Sequence, residues 1–305
     1  MERKFVQLPW GVVSYLEWLP DDQAEAATLL LLHGGGLDSA ELSWGGVGPA
    51  LATTGYRVLA PDHPGYGESP PAPWVAVQER LVDYVSEFVA ALGLDSYAIG
   101  GLSLGGGMAI GHVLQHPRAV TGAILLGGYG LMDYQFEGWF AKPAHAITWL
   151  MVRTGMMRAV MNAYGKNRKW MMSSVRNIIR NPEQRTPELL DAIMRAASQG
   201  AGLTAFGQWQ RDQFLRNRLK TNYTDRLGSF PRRVLMIHGD HDSGVPLAYA
   251  EAAAGRIPEA ELVVIPNAGH WVQRDRPDLV LPALIDFLKH LDGTTDATPP
   301  HSESA

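Results

Sequence analysis

The pentapeptide Gly101-Leu102-Ser103-Leu104-Gly105 lies between an apolar run, Ser96 to Gly100, and a run of small residues beginning at Gly106. A Gly-x-Ser-x-Gly pattern at a strand-to-helix junction requires a very tight turn. The serine then takes sparsely populated dihedrals and its hydroxyl stands clear of the chain, as in a nucleophile elbow. Glycine at 101 and 105 lets a strand fold back into a helix without side-chain collision. The N–H groups that open the helix point at any negative charge developing near Ser103. Glycine and serine are common, so the pattern needs support from its surroundings. As a dinucleotide-binding loop it is misplaced, because about a hundred residues precede it, whereas that fingerprint usually opens its fold.

The rest of the chain alternates strands and helices. Phe5 to Leu8 and Val12 to Leu19, joined by Pro9-Trp10-Gly11, read as a hairpin. Thr28 to Leu32 is continuously apolar, as a strand buried on both faces should be, and ends in His33-Gly34-Gly35-Gly36. Glu41 to Thr53 is expected as one helix, Arg57 to Ala60 as a strand and Asp83 to Leu92 as a helix closed by Gly93. Tyr97 to Gly100 and Val120 to Leu126 are expected as strands. From Leu131 to Gly228 no strand is evident, and most of the methionines fall there with four of the nine tryptophans, which suggests a helical insertion. Alternation resumes with strands at Arg233 to Ile237 and Leu262 to Ile265 and helices near Tyr249 to Gly255 and Leu279 to Leu291. Gly293 to Ala305 has the composition of a disordered tail.

These elements imply an α/β protein with a mostly parallel sheet covered on both faces. The core comprises residues 1–130 and 229–292, with the insertion 131–228 as a helical lid and 293–305 as a tail. At 305 residues the chain can bury a sizeable core. A formal charge of −5 over that length gives no reason to expect nucleic acid or an acidic membrane surface. Lys and Arg cluster between Arg153 and Arg185, and this cluster reads as the solvated faces of helices. Having no cysteine, the chain can use neither thiolate chemistry nor disulfides. The N-terminus lacks an apolar leader and no apolar run reaches membrane-spanning length, so a cytoplasmic location is expected.

Ligand sites in parallel sheets lie at the carboxyl ends of strands. Four suggestive segments follow strands: His33-Gly34-Gly35-Gly36, Ser103, Asp240-His241-Asp242 and Gly269-His270. A serine hydroxyl is a weak nucleophile at neutral pH, so it needs a base, and the base needs a partner that fixes its tautomer. His270 is the candidate base and Asp242 the candidate acid, with Asp240 a near rival and Asp133 a more distant one. His33, His63, His112, His116, His145, His238 and His290 read as packing, turn or surface residues.

Five segments together resemble the α/β-hydrolase-fold serine hydrolases. They are His33-Gly34-Gly35-Gly36, Pro61 to Ser69, Gly101 to Gly106, His238 to Asp242 with Val245-Pro246, and Gly269-His270-Trp271. They occur in the family's order of nucleophile, acid and histidine. The resemblance implies that the N–H groups of Gly35 and Leu104 form an oxyanion hole, that no metal or organic cofactor is needed, and that residues 131–228 form a cap. Gly36, Leu37, Trp139 and Trp271 are the expected pocket residues. The expected activity is hydrolysis of a small to medium, largely apolar carboxylic ester. Carbon–carbon hydrolysis of ring-cleavage diketo acids is an alternative within the family, lowered because Leu37-Asp38 and Leu102 stand where those enzymes commonly have Pro-Gly and Asn. A lactonase and a ligand receptor on a hydrolase scaffold are further alternatives. The expected partner is a small molecule, and the oligomeric state leaves no trace in the sequence.

Overall fold

A computed structural model describes residues 1–22 and 26–294. Its centre is an eight-stranded sheet: β1 (Glu2–Leu8), β2 (Gly11–Trp18), β3 (Thr28–Leu32), β4 (Arg57–Pro61), β5 (Tyr97–Leu102), β6 (Val120–Leu126), β7 (Val234–Gly239) and β8 (Ala260–Ile265). The spatial order is β1-β2-β4-β3-β5-β6-β7-β8. β1 and β2 form the expected hairpin and β2 meets β4 antiparallel, while every pairing from β4 to β8 is parallel.

Helices cover both faces: α1 (Ala40–Trp44), α2 (Gly48–Thr53), α3 (Gln78–Ala91), α4 (Leu104–Gln115), α10 (Leu247–Ala254), α11 (Val272–Asp275) and α12 (Pro277–Thr294). β3 shows why the sheet needs two layers of helix. Leu30 and Leu32 join the core cluster containing Phe88 and Met108, whereas Leu29 and Leu31 join the opposite one containing Trp44 and Phe287. All four leucines are fully buried, each contributing about 2 kcal/mol.

Between β6 and β7 lie α5 (Ala141–Thr154), α6 (Met156–Gly165), α7 (Arg168–Ile178), α8 (Pro187–Gln199) and α9 (Ala201–Gln213). The only strand-like feature among these described residues is an isolated bridge, Phe214 to Leu219. Three boundaries differ from the sequence reading. The helix expected over Glu41 to Thr53 is divided into α1 and α2, because Gly45-Gly46 offers little to continue a helix. α3 begins at Gln78 rather than Asp83; its polar opening, Gln78-Glu79-Arg80, hides the apolar period. α12 continues to Thr294, two residues into the segment expected as a tail; residues 295–305 lie outside those described.

The strand order fixes where a ligand can enter. From β3 the chain crosses to β4 on one side and then to β5 on the other, so the connections diverge at the carboxyl ends of β3 and β5. Such a divergence opens a crevice at the sheet's edge. Leu32 is in register with Gly101, which sets the loop after β3 directly beside Ser103.

Buried histidines make the fold acid-sensitive. Burial pushes His33 down to about 3 and His112 down to about 4, and holds His63 well below its ordinary value of 6.5. Each binds a proton more readily when unfolded, so its contribution is present above pH 6.5 and is lost as pH falls toward those values. Asp38 has the opposite sign, since burial raises it to about 6, but it is one group against these three and His238, which burial also lowers. The melting temperature should therefore fall steadily as the pH is lowered from 6.5, read by circular dichroism. A flat melting temperature down to pH 4 would refute this account of the buried rings.

Candidate active site

Ser103 takes φ 52° and ψ −113°, a left-handed conformation between β5 and α4. Its N–H donates to the Leu126 carbonyl at 2.9 Å, and its carbonyl accepts from Gly107 and Tyr129. The flanking glycines are required by space. A Cβ at Gly101 would lie 2.2 Å from the Gly105 carbonyl, and one at Gly105 would lie 2.3 Å from the Leu32 carbonyl. Leu104 opens α4, where backbone N–H groups have no acceptor inside the helix.

Asp242 follows β7 and His270 follows β8. The His270 Nδ1 stands 2.8 Å from both carboxylate oxygens of Asp242. Asp242 is almost wholly buried, and its Oδ1 also accepts the N–H groups of Gly244 and Val245. Burial would raise the Asp242 carboxyl, but the His270 imidazole, reinforced by His238 3.4 Å away, holds it below the usual carboxylate range. Burial would lower His270, but the charge and hydrogen bond of Asp242, with the charge of Asp38, leave it above 6.5. With Nδ1 engaged, Nε2 is the nitrogen left for chemistry.

Ser103 and His270 line one cavity of about 300 Å³ with Gly35, Gly36, Leu37, Leu104 and Trp271. Every expected site residue except Asp242, which stands behind the imidazole, and Trp139 lies on this cavity. Trp139 is corrected: it is 92% exposed on the outer surface and lines no part of it. The apolar composition of the insertion gave no means of telling its inner from its outer face. The tryptophan contributed from the insertion is instead Trp209, with Phe206, Met161 and Met171. Asp240, the rival acid, pairs with His241 at 2.6 Å. Asp133 is exposed and accepts from Asn222. A larger open groove of about 920 Å³ near Arg180 and Arg276 contains neither Ser103 nor His270. Among the described residues no group of three or more His, Cys, Asp or Glu could hold a metal ion, and no helix is long and apolar enough to cross a membrane.

Two carboxylates escaped the sequence reading. Asp38 is buried under the glycine loop, where Oδ2 accepts the Gly34 N–H at 2.7 Å and the Ser43 hydroxyl at 2.8 Å, and Oδ1 accepts the Ser39 N–H. It fixes the backbone leading into Gly35. Asp275 is fully buried and accepts from the N–H groups of Gly269, Arg180 and Asn181. It thereby ties the loop carrying His270 to the segment after α7, beside a bond from Trp271 N–H to the Ile178 carbonyl. Their sequence signal is weak, because most of their partners are backbone N–H groups and the one side chain among them, Ser43, is a common residue. Gly127 and Gly244 were also missed; a Cβ on either would press to about 3 Å from the His270 ring.

With that geometry in hand, comparison with known proteins places the chain. The alpha/beta hydrolase fold model matches residues 27–277. The chain belongs to the alpha/beta hydrolase fold family. Among curated relatives, the 2-hydroxy-6-oxo-6-phenylhexa-2,4-dienoate hydrolase of Burkholderia cepacia is 27% identical, over 93% of this chain and 96% of the relative. The 2-hydroxymuconate semialdehyde hydrolase of Pseudomonas putida is 28% identical, over 89% and 90%. A meta-cleavage product hydrolase from Pseudomonas fluorescens superposes with a TM-score of 0.75 at 23% identity, covering 94% of this hydrolase and 97% of that chain. The expected fold and the assignment as a hydrolase are borne out. These relatives are named as hydrolases of a hydroxy-oxo-dienoate and a muconate semialdehyde, in line with the sequence reading's alternative and not with the ester hydrolysis it placed first.

The electrostatic roles of the two carboxylates are separable. Replacing Asp242 with Asn should lower the titration midpoint of His270, because the charge and hydrogen bond that raise it are removed. Asp38→Asn should lower it less, through the lost charge alone. Imidazole signals followed by NMR across pH provide the measurement; an unmoved midpoint in Asp242→Asn would contradict this account.

Proposed function

We propose that this hydrolase cleaves an uncharged, largely apolar carboxylic ester by two-step acyl transfer, with Ser103 as nucleophile, His270 as base and Asp242 as its partner. His270 Nε2 takes the Ser103 proton as the hydroxyl oxygen attacks the carbonyl carbon. The carbonyl oxygen becomes negative opposite the N–H groups of Gly35 and Leu104, each such donor being worth about 3 kcal/mol of barrier. The proton passes to the departing alcohol. Water then gives a proton to His270 as it attacks the acyl carbon, and His270 returns that proton to the Ser103 oxygen as the acyl bond breaks and the acid leaves.

The observation that carries the choice of substrate is the lining of the cavity. Methionine, phenylalanine, tryptophan and aliphatic residues dominate it, with Gln135, Ser174 and Gln210 as polar members and no lysine or arginine. A carboxylate confined there would find no permanent cation, only the His270 imidazole that must be neutral to act as base, at a penalty of several kcal/mol. That disfavours dienoate and dienedioate acids, for which relatives are named, and favours a neutral ester. In this reading the helices between β6 and β7 act as the cap that selects the substrate, and the protein works in the cytoplasm.

A second reading, carbon–carbon hydrolysis of a ring-cleavage product, is favoured by the relatives' names. The two separate on substrates. The pure protein should hydrolyse nitrophenyl butyrate and hexanoate with kcat/KM well above that for a hydroxy-oxo-dienoate. Ser103→Ala should lose about ten-thousand-fold or more of the ester rate. Faster turnover of the dienoate would overturn the ester reading in favour of the second.

A further inference from the structure

We propose that the outer face of α5 and α6 docks on an anionic lipid surface. From Gly138 to Pro182 the chain carries eight Lys and Arg and no Asp or Glu, whereas the remainder carries 18 Lys and Arg against 31 Asp and Glu. Along the sequence the cations therefore stand apart in an otherwise acidic protein, although in the structure Arg168 pairs with Asp191. The two helices also present their apolar residues outward. On α5 the buried positions are Ala141, His145, Thr148 and Val152, while Ile147 and Leu150 are 62% and 54% exposed. On α6 no residue is fully buried, and Met156, Val160 and Tyr164 repeat at every fourth position on the exposed side. Tyr164 meets the half-exposed Trp170 of α7 at 5.9 Å between ring centroids.

Val152, Trp149 and Met157 pack inward, so these helices are apolar on both faces, whereas an ordinary surface helix keeps its outer face polar. Apolar side chains exposed among cations, with tryptophan and tyrosine beside them, suit the boundary between headgroups and acyl chains. Lys142 and Arg153 flank the α5 patch and are themselves exposed. Their stems can lie along apolar surface while their charges reach lipid phosphates. A second copy of the chain is a poorer occupant, because a symmetric contact would set the cations of one face against those of the other. Nucleic acid would use the cations but leave Ile147, Leu150 and Val160 without a role. Met161 of α6 lines the cavity, so the same helix borders both surfaces.

The test is flotation of the full chain with vesicles of phosphatidylcholine alone or with about one-third phosphatidylglycerol. Binding is expected on the mixed vesicles, weakened by high salt and much reduced on phosphatidylcholine alone. Lys142→Gln and Arg153→Gln should each weaken binding about fivefold, and Leu150→Glu should abolish it, with melting temperatures confirming that the variants fold. Absence of binding to mixed vesicles would overturn the proposal. So would binding that Leu150→Glu leaves intact, or self-association or DNA binding in place of vesicle binding. Since no turnover is read, failure of this test is distinct from failure of the ester reading.

Discussion

The left-handed turn at Ser103 governs the geometry of everything around it. A non-glycine residue at φ 52° costs on the order of 1–3 kcal/mol, tolerated only where neighbouring structure holds it in place. Here the holding is done by backbone. The serine's N–H is bonded to β6, and its carbonyl takes two further N–H groups. The glycines on either side bring β5, α4 and the end of β3 within van der Waals contact. The serine hydroxyl, the first free N–H groups of α4 and the glycine loop after β3 are consequently parts of one rigid corner. Moving any of them requires moving the centre of the sheet.

On the other side of the cavity, charge does what backbone does at the elbow. Burial would keep His270 neutral, and Asp242, aided by the charge of Asp38, opposes that tendency. Asp242 can do so because its own burial is compensated by two backbone N–H groups as well as by the imidazole. Such saturation keeps the proton on the histidine, since the carboxylate would lose several charge-assisted bonds by accepting it. Asp275 extends the same device to position: three N–H groups from two distant segments converge on one buried carboxylate. The loop bearing His270 is thus held from below by the sheet and from the side by the helices over the cavity.

Which features could be read from the sequence follows from where their causes lie. The elbow, the strand ends and the order of serine, aspartate and histidine were legible because local backbone demands and sheet burial leave composition signatures. β3 reads as a buried strand because all its leucines are needed, two for each face. The Gly45-Gly46 break was equally local and was overlooked because the apolar period continues across it. Asp38 and Asp275 were invisible for a different reason: apart from the Ser43 hydroxyl on Asp38, their partners are backbone groups, which every residue possesses. Trp139 was misplaced because a helical insertion can be rich in tryptophan and methionine on either surface. The choice between ester and carbon–carbon substrates depends on which cap side chains reach inward, a long-range outcome of packing.

Net charge is an average that hides how the charges are distributed. A total of −5 suggested indifference to acidic surfaces, yet it combines a purely cationic stretch with a strongly acidic remainder. Screening in salt acts over roughly 8–10 Å, a distance shorter than the protein, so a surface responds to the local charge and not to the sum. α5 makes the same point in apolar terms. Its inward face carries His145 bonded to the Leu215 carbonyl and Thr148 bonded within the helix, polar groups that have found partners inside. Its outward face carries isoleucine and leucine that have found none in the described chain. A helix that leaves isoleucine and leucine exposed on its outer face gains free energy when something apolar covers it. With like charge along its flanks, that cover is more readily an acidic interface than another cationic cap.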